Sequence, residues 1–140
     1  MRLGTKTRYG ARAMLELALN YENGNGVVTV KDIATQQQVS PKYLEHLLAS
    51  LRSAGLVRSV RGAKGGHTLA RPPTQIELYE IYHVFEGTEG FVECTTSPEF
   101  CERTDDCVTQ EVWAQMYDAC VDILKSTTLE DLARRAREKR

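Results

Sequence analysis

No run of apolar residues in this 140-residue chain extends beyond a few positions, far short of the ~20 that cross a membrane. The first residues, Met1-Arg2-Leu3-Gly4-Thr5-Lys6, lack the apolar core and small-residue cleavage site of a signal peptide. A cytoplasmic location is therefore expected, in a reducing compartment that disfavours structural disulfides. The chain has only four cysteines, and no two are separated by the roughly two to four residues typical of zinc sites. Nucleotide-phosphate fingerprints, catalytic dyads and substrate-pocket motifs are missing, as are internal repeats. A small redox or electron-transfer protein is thus the weaker expectation, and no small-molecule substrate is expected.

What is present is unevenly placed. The net charge of −1 hides two opposed halves. Residues 1–71 carry eleven Lys/Arg against four acids, net +7, while residues 72–140 carry seven against fifteen, net −8. Such asymmetry points to a polyanionic partner for the first half. Three of the four cysteines crowd into one acidic stretch, Cys94, Cys101 and Cys107. A hydrophobic share of 41% is enough for one packed core.

Hydrophobic spacing predicts a helix over 5–22, ended by Asn23-Gly24-Asn25-Gly26, and a short helix over 30–38. Val39-Ser40 reads as a tight turn. Ser40 suits an N-cap, Pro41 the first helical position, and Leu44, Leu47, Leu48 and Leu51 one buried stripe ending at Gly55. Two short helices joined in this way form a helix-turn-helix. Residues 56–60 and 67–70 read as strands around the glycine-rich basic tip Arg61-Gly62-Ala63-Lys64-Gly65-Gly66, a wing. A capping box at residues 74–77 is expected to open another helix, with Leu78, Ile81, Tyr82 and Phe85 buried. The segment 93–107 has no period and reads as a loop. A long helix over 107–125, striped by Val112, Met116, Cys120 and Ile123, is expected to pair with a second copy. A further capping box at residues 127–130 opens a terminal helix, and residues 134–140 read as a frayed tail.

The fold class expected is therefore mainly α with a small β wing: a winged helix-turn-helix DNA-binding domain plus a long dimerisation helix. The divisions are residues 1–87, a cysteine segment at 88–107, and residues 108–140. The partner expected is double-stranded operator DNA. Ser40, Lys42, Tyr43, His46 and Arg52 lie on the polar side of the second helix, where major-groove and phosphate contacts are made. Arg58, Arg61, Gly62 and Lys64 belong to the wing, and Arg61 suits a narrow minor groove. His67 and His83 have no metal-like spacing and read as structural. The alternative for the wing is a plain hairpin turn with solubilising charges.

The spacing Cys94-x6-Cys101-x5-Cys107 suits thiolates wrapping an iron–sulfur core better than it suits zinc. Redox-active thiols are the main alternative, although the surrounding Glu93, Glu99, Glu102, Asp105 and Asp106 argue against reactive, low-pKa cysteines. Cys120 lies roughly 20 Å beyond Cys107 along a helix and reads as a buried small hydrophobe.

Several of these segments, Met1-Arg2-Leu3, Arg8-Tyr9, Ser40-Pro41-Lys42-Tyr43-Leu44-Glu45, Gly55-Leu56-Val57 and Ser59-Val60-Arg61-Gly62-Ala63-Lys64-Gly65-Gly66, resemble the Rrf-type winged-helix regulators. The resemblance extends over nearly the whole chain. It implies a homodimeric bacterial transcription factor, a repressor by expectation, and adds Arg2 to the DNA contacts. The cysteine segment resembles the cluster-binding loop of the IscR and NsrR branches, a loop the CymR branch lacks. The resemblance implies that Cys94, Cys101 and Cys107 hold an iron–sulfur cluster, 2Fe-2S favoured over 4Fe-4S, which senses iron, redox or nitric oxide state. The alternative is a cluster-free, thiol-responsive regulator of cysteine metabolism. Two features depart from the IscR pattern. Six residues rather than five separate the first two cysteines, and Gln110 stands where that branch has a histidine ligand. The fourth ligand stays open among Gln110, Glu111, Asp106, an exogenous thiol or water.

Overall fold

A computed structural model describes residues 1–140. Eight regular elements follow in order: α1 (Thr5–Leu19), α2 (Val30–Gln37), α3 (Pro41–Ser53), β1 (Val57–Val60), β2 (Gly66–Leu69), α4 (Leu78–Glu86), α5 (Val108–Ser126) and α6 (Leu129–Lys139). Short 3-10 turns fill residues 22–24, 73–75, 93–95, 98–100 and 104–106. The mainly helical class with a small wing is what the residues predict.

The helix-turn-helix forms where its caps place it. Thr29 Oγ1 accepts from the Asp32 N–H at 3.1 Å and starts α2. Ser40 Oγ accepts from the Tyr43 N–H at 3.2 Å and starts α3, with Pro41 in the first turn. Leu44, Leu47, Leu48 and Leu51 are all buried. The helix stops in a Schellman arrangement. The Gly55 N–H reaches Arg52 O at 3.0 Å, and the Leu56 N–H reaches Leu51 O at 3.0 Å. Gly55 sits at φ +80, a conformation that suits glycine.

The wing is an antiparallel hairpin with Val57 opposite Leu69 and Val60 opposite Gly66. It gains a third participant that periodicity does not reveal. Val28 and His67 exchange both backbone hydrogen bonds, at 2.9 and 2.8 Å, tying the α1–α2 connection to β2. Gly66 is fixed by this closeness, because a Cβ there would lie 2.5 Å from Val28 O.

Several boundaries differ from expectation. α1 ends at Leu19 rather than residue 22. The Asn20 side chain donates to Glu16 O at 2.8 Å, and Asn23 turns left-handed at φ 57. The helix expected from residue 74 begins at Leu78 instead. Pro73–Gln75 is a 3-10 turn, Ile76 is extended and buried, and Glu80 accepts from the Glu77 N–H at 3.0 Å. On α4, Ile81 and Tyr82 are buried while Leu78 and Phe85 are half-buried. The last capping box shifts by one residue, with Thr128 and Asp131 as its partners.

The largest correction concerns the C-terminus. Residues 134–139 are helical, and α6 packs on α1 with Leu129 and Ala133 fully buried. They share one core with Ala13, Met14, Leu17, Ile33, Leu44, Leu48, Leu51, Ile76 and Ile81. The Leu129 N–H donates to Ile76 O at 2.9 Å, and Arg140 donates to the buried Glu16 carboxylate at 2.9 Å. Residues 134–140 are therefore not frayed, although all of their side chains except Ala136 remain exposed to solvent.

Candidate nucleic-acid interface and cysteine segment

Capping and burial fix α3 with its leucines inward, so its other side faces solvent. Ser40, Lys42, His46 and Arg52 are exposed there, and Tyr43 is half-buried. Tyr43 packs edge-on against Tyr9 of α1, ring centroids 6.1 Å apart. Its ring is therefore anchored to the body, while Lys42 and His46 are free to meet a ligand. A cleft of about 460 Å³ beside α3 is lined by Lys6, Tyr43, His46, Leu47, Ser50, Val84 and Phe85. Lys6 thus joins the basic side of the helix.

Arg52 and Arg58 do different work from the other cations. Arg52 donates to Ser59 Oγ at 2.9 Å, joining the end of α3 to β1. Ser59 Oγ in turn lies 3.4 Å from His67 Nδ1. Arg58 donates to Gly24 O at 3.3 Å. Both guanidiniums brace the wing. Arg2, Lys42, Arg61 and Lys64 enter none of the ion pairs in the chain. Arg61, Gly62 and Lys64 are all exposed at the wing tip, which Gly62 turns at φ +110. His67 is structural in placement, its backbone paired on both sides. Burial, and then the nearby Arg52 charge, hold its imidazole below the usual pKa despite the opposing Glu45.

The N-terminus of α1 has no cap of its own and borrows one. Glu86 Oε1 accepts from the Gly4 N–H at 2.6 Å and from Thr7 Oγ1 at 2.8 Å. Burial raises the carboxyl of Glu86, but the Thr7 and Gly4 hydrogen bonds outweigh it, and its pKa falls below the ordinary value. Glu86 ends α4 immediately before the segment that carries the cysteines. The Met1 amino group also donates to Gly90 O.

Residues 93–107 are a chain of three 3-10 turns rather than a plain loop. Cys94 lies within the first, Cys101 follows the second and is exposed, and Cys107 follows the third. All four cysteines are free thiols. The turns do not gather three metal-ligating side chains at one point. Three thiols in one segment suit a soft, thiophilic centre in kind and number, and holding one requires these turns to rearrange. The Gln110 side chain is already engaged, its Nε2 donating to Cys94 O at 3.2 Å.

Cys107 occupies the N-cap of α5. The Thr109 hydroxyl first, then the backbone at Gln110 and Thr109 and the Arg103 charge, hold its thiol below the ordinary pKa against the opposing effect of burial. The acidic side chains nearby suggest a sluggish thiol. The Thr109 hydroxyl, and after it the helix terminus, give Cys107 the opposite character.

Beyond Cys107, α5 buries no residue in the single chain. Val112, Met116 and Ile123 are 48%, 43% and 64% exposed, with Trp113 beside them at 39%. Cys120 is half-buried on this same stripe, which corrects its expected burial. The stripe has no core to join within its own protomer.

Residues 3–135 match the model of a family described as iron-dependent transcriptional regulators, Rrf2. The chain belongs to the Rrf2 family. It is a DNA-binding transcriptional regulator of the winged-helix type and not an enzyme. Among Rrf2 relatives, the regulator CymR of Bacillus subtilis is 42% identical over 95% of this chain and 90% of its own length. IscR of Photorhabdus laumondii is 36% identical over 94% of this chain and 79% of its own. The solved structure of CymR, the global cysteine regulator of B. subtilis, superposes with a TM-score of 0.81 over 96% of this chain and 97% of that one. The structure of T. potens IscR gives 0.80 at 39% identity over 100% of this chain and 91% of that one. CymR, the branch expected to fit less well, thus resembles this chain at least as closely as IscR does. No helix is long and apolar enough to cross a membrane.

Sequence reasoning about this Rrf2 chain missed three things. The Thr29–Asp32 cap was visible as a Thr-x-x-Asp pattern. The Val28 bridge and the braces made by Arg52 and Arg58 pair residues distant along the chain and left no local signal.

Proposed function

We propose that the protein binds operator DNA as a homodimer, placing α3 in the major groove and the wing tip against the backbone of each half-site. The observation that carries this is the division of labour among the cations. Arg52 and Arg58 are spent on bracing, whereas Lys42, Arg61 and Lys64 are exposed and unpaired beside the exposed His46 and the capped N-terminus of α3. Ser40 and Tyr43 frame that terminus, a placement suited to phosphate. Gly62 lets the tip approach the sugar-phosphate backbone, and Arg2 extends the basic surface. The stripe on α5 supplies the two-fold contact that spaces the two half-sites. Replacing Arg61 by Ala is expected to weaken operator binding and to lower the slope of log affinity on log salt by about one. Operator affinity unchanged by this substitution excludes the wing contact.

For the sensing function we favour an iron–sulfur cluster held by Cys94, Cys101 and Cys107, 2Fe-2S before 4Fe-4S. The three clustered thiols, the iron-dependent description of the family and the likeness to IscR support it. Bound there, a cluster supplies a redox- and iron-responsive charge centre. The residues of the chain provide the lever. Cys107 begins α5, and Gln110 ties the Cys94 turn to the same helix, so any change in thiol ligation acts on the dimer helix directly. Gln110, donating to a carbonyl, is better read as this tie than as the fourth ligand. Anaerobic purification with iron and acid-labile sulfide assays tests the proposal. About two irons per chain establish 2Fe-2S and about four 4Fe-4S.

A second reading draws on the Cys107 thiol, held low in pKa at a helix terminus, and on the 42% identity with CymR. A colourless protein that resists reconstitution, with Cys107 alkylated faster than Cys120, would favour direct thiol sensing over the cluster.

A further inference from the structure

A chain of polar contacts joins the C-terminal helix to the turn of the helix-turn-helix. Arg140, the residue after α6, donates to Glu16 Oε1 at 2.9 Å, and Gln37 Nε2 donates to the same oxygen at 2.8 Å. Glu16 and Gln37 are both buried. Gln37 Oε1 accepts from Arg12 Nε at 2.5 Å, and the Gln37 carbonyl lies 3.5 Å from Arg12 Nη2. The Arg12 guanidinium stacks 5.3 Å over the Tyr9 ring, and Tyr9 packs edge-on against Tyr43 at the start of α3.

Gln37 is the last residue of α2, and Gln38 follows it in the left-handed region at φ 54. This turn sets the angle between α2 and α3. A non-glycine residue holds that conformation only where its surroundings over-determine it. Arg12 supplies a cation at a helix C-terminus, where unpaired carbonyls attract one. Glu16 fixes the amide of Gln37 so that its oxygen faces Arg12. Glu16 and Gln37 are buried, while Arg12 and Arg140 reach them from exposed positions. A buried polar pair is costly unless each member is satisfied, so Gln37 and Glu16 depend on each other and on the two arginines.

We propose that Gln37, clamped between Arg12 and Glu16 and backed by Arg140, is the positioning residue that fixes the presentation of α3 to the major groove. The C-terminal helix thereby contributes to DNA discrimination without touching DNA. The inference rests on the reading of α3 as the recognition helix.

The test compares two duplexes of equal length: one selected by the unmodified protein from a random pool, and a shuffled one. Gln37→Met keeps the side-chain length and removes both hydrogen-bonding ends. Affinity for the selected duplex should fall about tenfold, the size of one lost buried hydrogen-bond partner. Affinity for the shuffled duplex should change by less than about twofold, with the salt slope intact, because phosphate contacts are untouched. Glu16→Gln, which still offers Gln37 an acceptor, should retain most of the discrimination. Equal losses on both duplexes in step with a lowered Tm, or no loss on either, overturn the proposal. Arg140→Met, at a side chain 55% exposed, keeps the test open if Gln37→Met does not fold. It should reduce the ratio of the two affinities by about threefold in the same direction, and an unchanged ratio counts against the tie. His46→Ala and Lys42→Ala serve as controls. If neither weakens the selected duplex, the recognition-helix reading itself fails. If they do and Gln37→Met leaves the ratio unchanged, only the tie fails.

Discussion

Substituting Met116 by Glu probes α5, the proposed dimer helix, at the middle of its stripe. Met116 is 43% exposed in the single chain, so burying the remainder in a partner contributes about 1 kcal/mol of the ~2 available to a methionine side chain. A carboxylate placed there without a partner adds about 2 kcal/mol of desolvation. A two-fold interface counts each substitution twice, giving about 6 kcal/mol, or roughly four decades in Kd. The fold of the protomer should change little, because glutamate matches methionine in helix propensity and the site is half open. Sedimentation velocity across a micromolar concentration range reads the result. The unmodified protein should sediment at twice its 15.7 kDa, and Met116→Glu at the single-chain mass with its helical circular dichroism retained. A variant that stays dimeric with unchanged Kd refutes the stripe as the interface, and an unmodified protein at the single-chain mass refutes the dimer.

Leu129→Ala should lower stability by about 2–5 kcal/mol and Tm by roughly 5–15 °C, because Leu129 is fully buried. A loss below about 0.5 kcal/mol would show that α6 does not belong to the core. Gln38→Gly relieves the left-handed backbone at φ 54 and should raise stability by up to ~1 kcal/mol in chemical denaturation. A clear decrease would show that the turn is not strained. Stability should fall with pH in two stages. The depressed pKa of His67 makes its protonation unfavourable in the fold, so that contribution is present above its ordinary value near ~6.5 and is lost as pH falls from there toward the folded value. Glu86 and Asp131, both held low by hydrogen bonds that outweigh burial, contribute fully above their ordinary values near ~4 and lose that contribution as pH falls through the folded ones. The pairing of Glu86→Gln with Asp131→Asn should flatten the acid stage alone, and an unchanged acid limb argues against this assignment.

The parts of the fold legible in the sequence are those written locally. Ser40-Pro41 and Gly55 bracket α3 because a cap, a ring and a left-handed terminus each act within one turn of chain. The four leucines between them needed only the helical period. What the sequence concealed depends on contacts between distant positions. Thr74 looks like a helix N-cap, yet Ile76 is drawn extended into the core, where its carbonyl binds Leu129 from α6. The arginine-rich run after residue 133 looks frayed, yet it continues a helix anchored by Leu129, Leu132 and Ala133 on the core, with its own side chains exposed except Ala136. For the candidate site, residue type announced that cations surround α3, but not which of them are free. Arg52 and Arg61 read alike in the sequence and differ in the structure, one tied to Ser59 and the other exposed.

The same distinction between local and distant causes bears on the cysteines. The acidic side chains near Cys107 are exposed and screened by solvent, so their effect on its thiol is weak. The Thr109 hydroxyl lies 3.3 Å from the sulfur and, with the backbone at the start of α5 after it, lowers the thiol pKa against burial. A thiolate at that position is favoured by the helix whether it then binds iron or reacts with an oxidant. Loss of that negative charge weakens the favourable interaction with the α5 terminus, and a new bond to Cys94 or Cys101 pulls the terminus toward the 3-10 turns. Both perturbations enter the helix whose apolar stripe is open for a partner. The chemistry of the segment and the geometry of the proposed dimer therefore share one element, which explains mechanically why three cysteines would be placed at the start of α5 rather than near the wing.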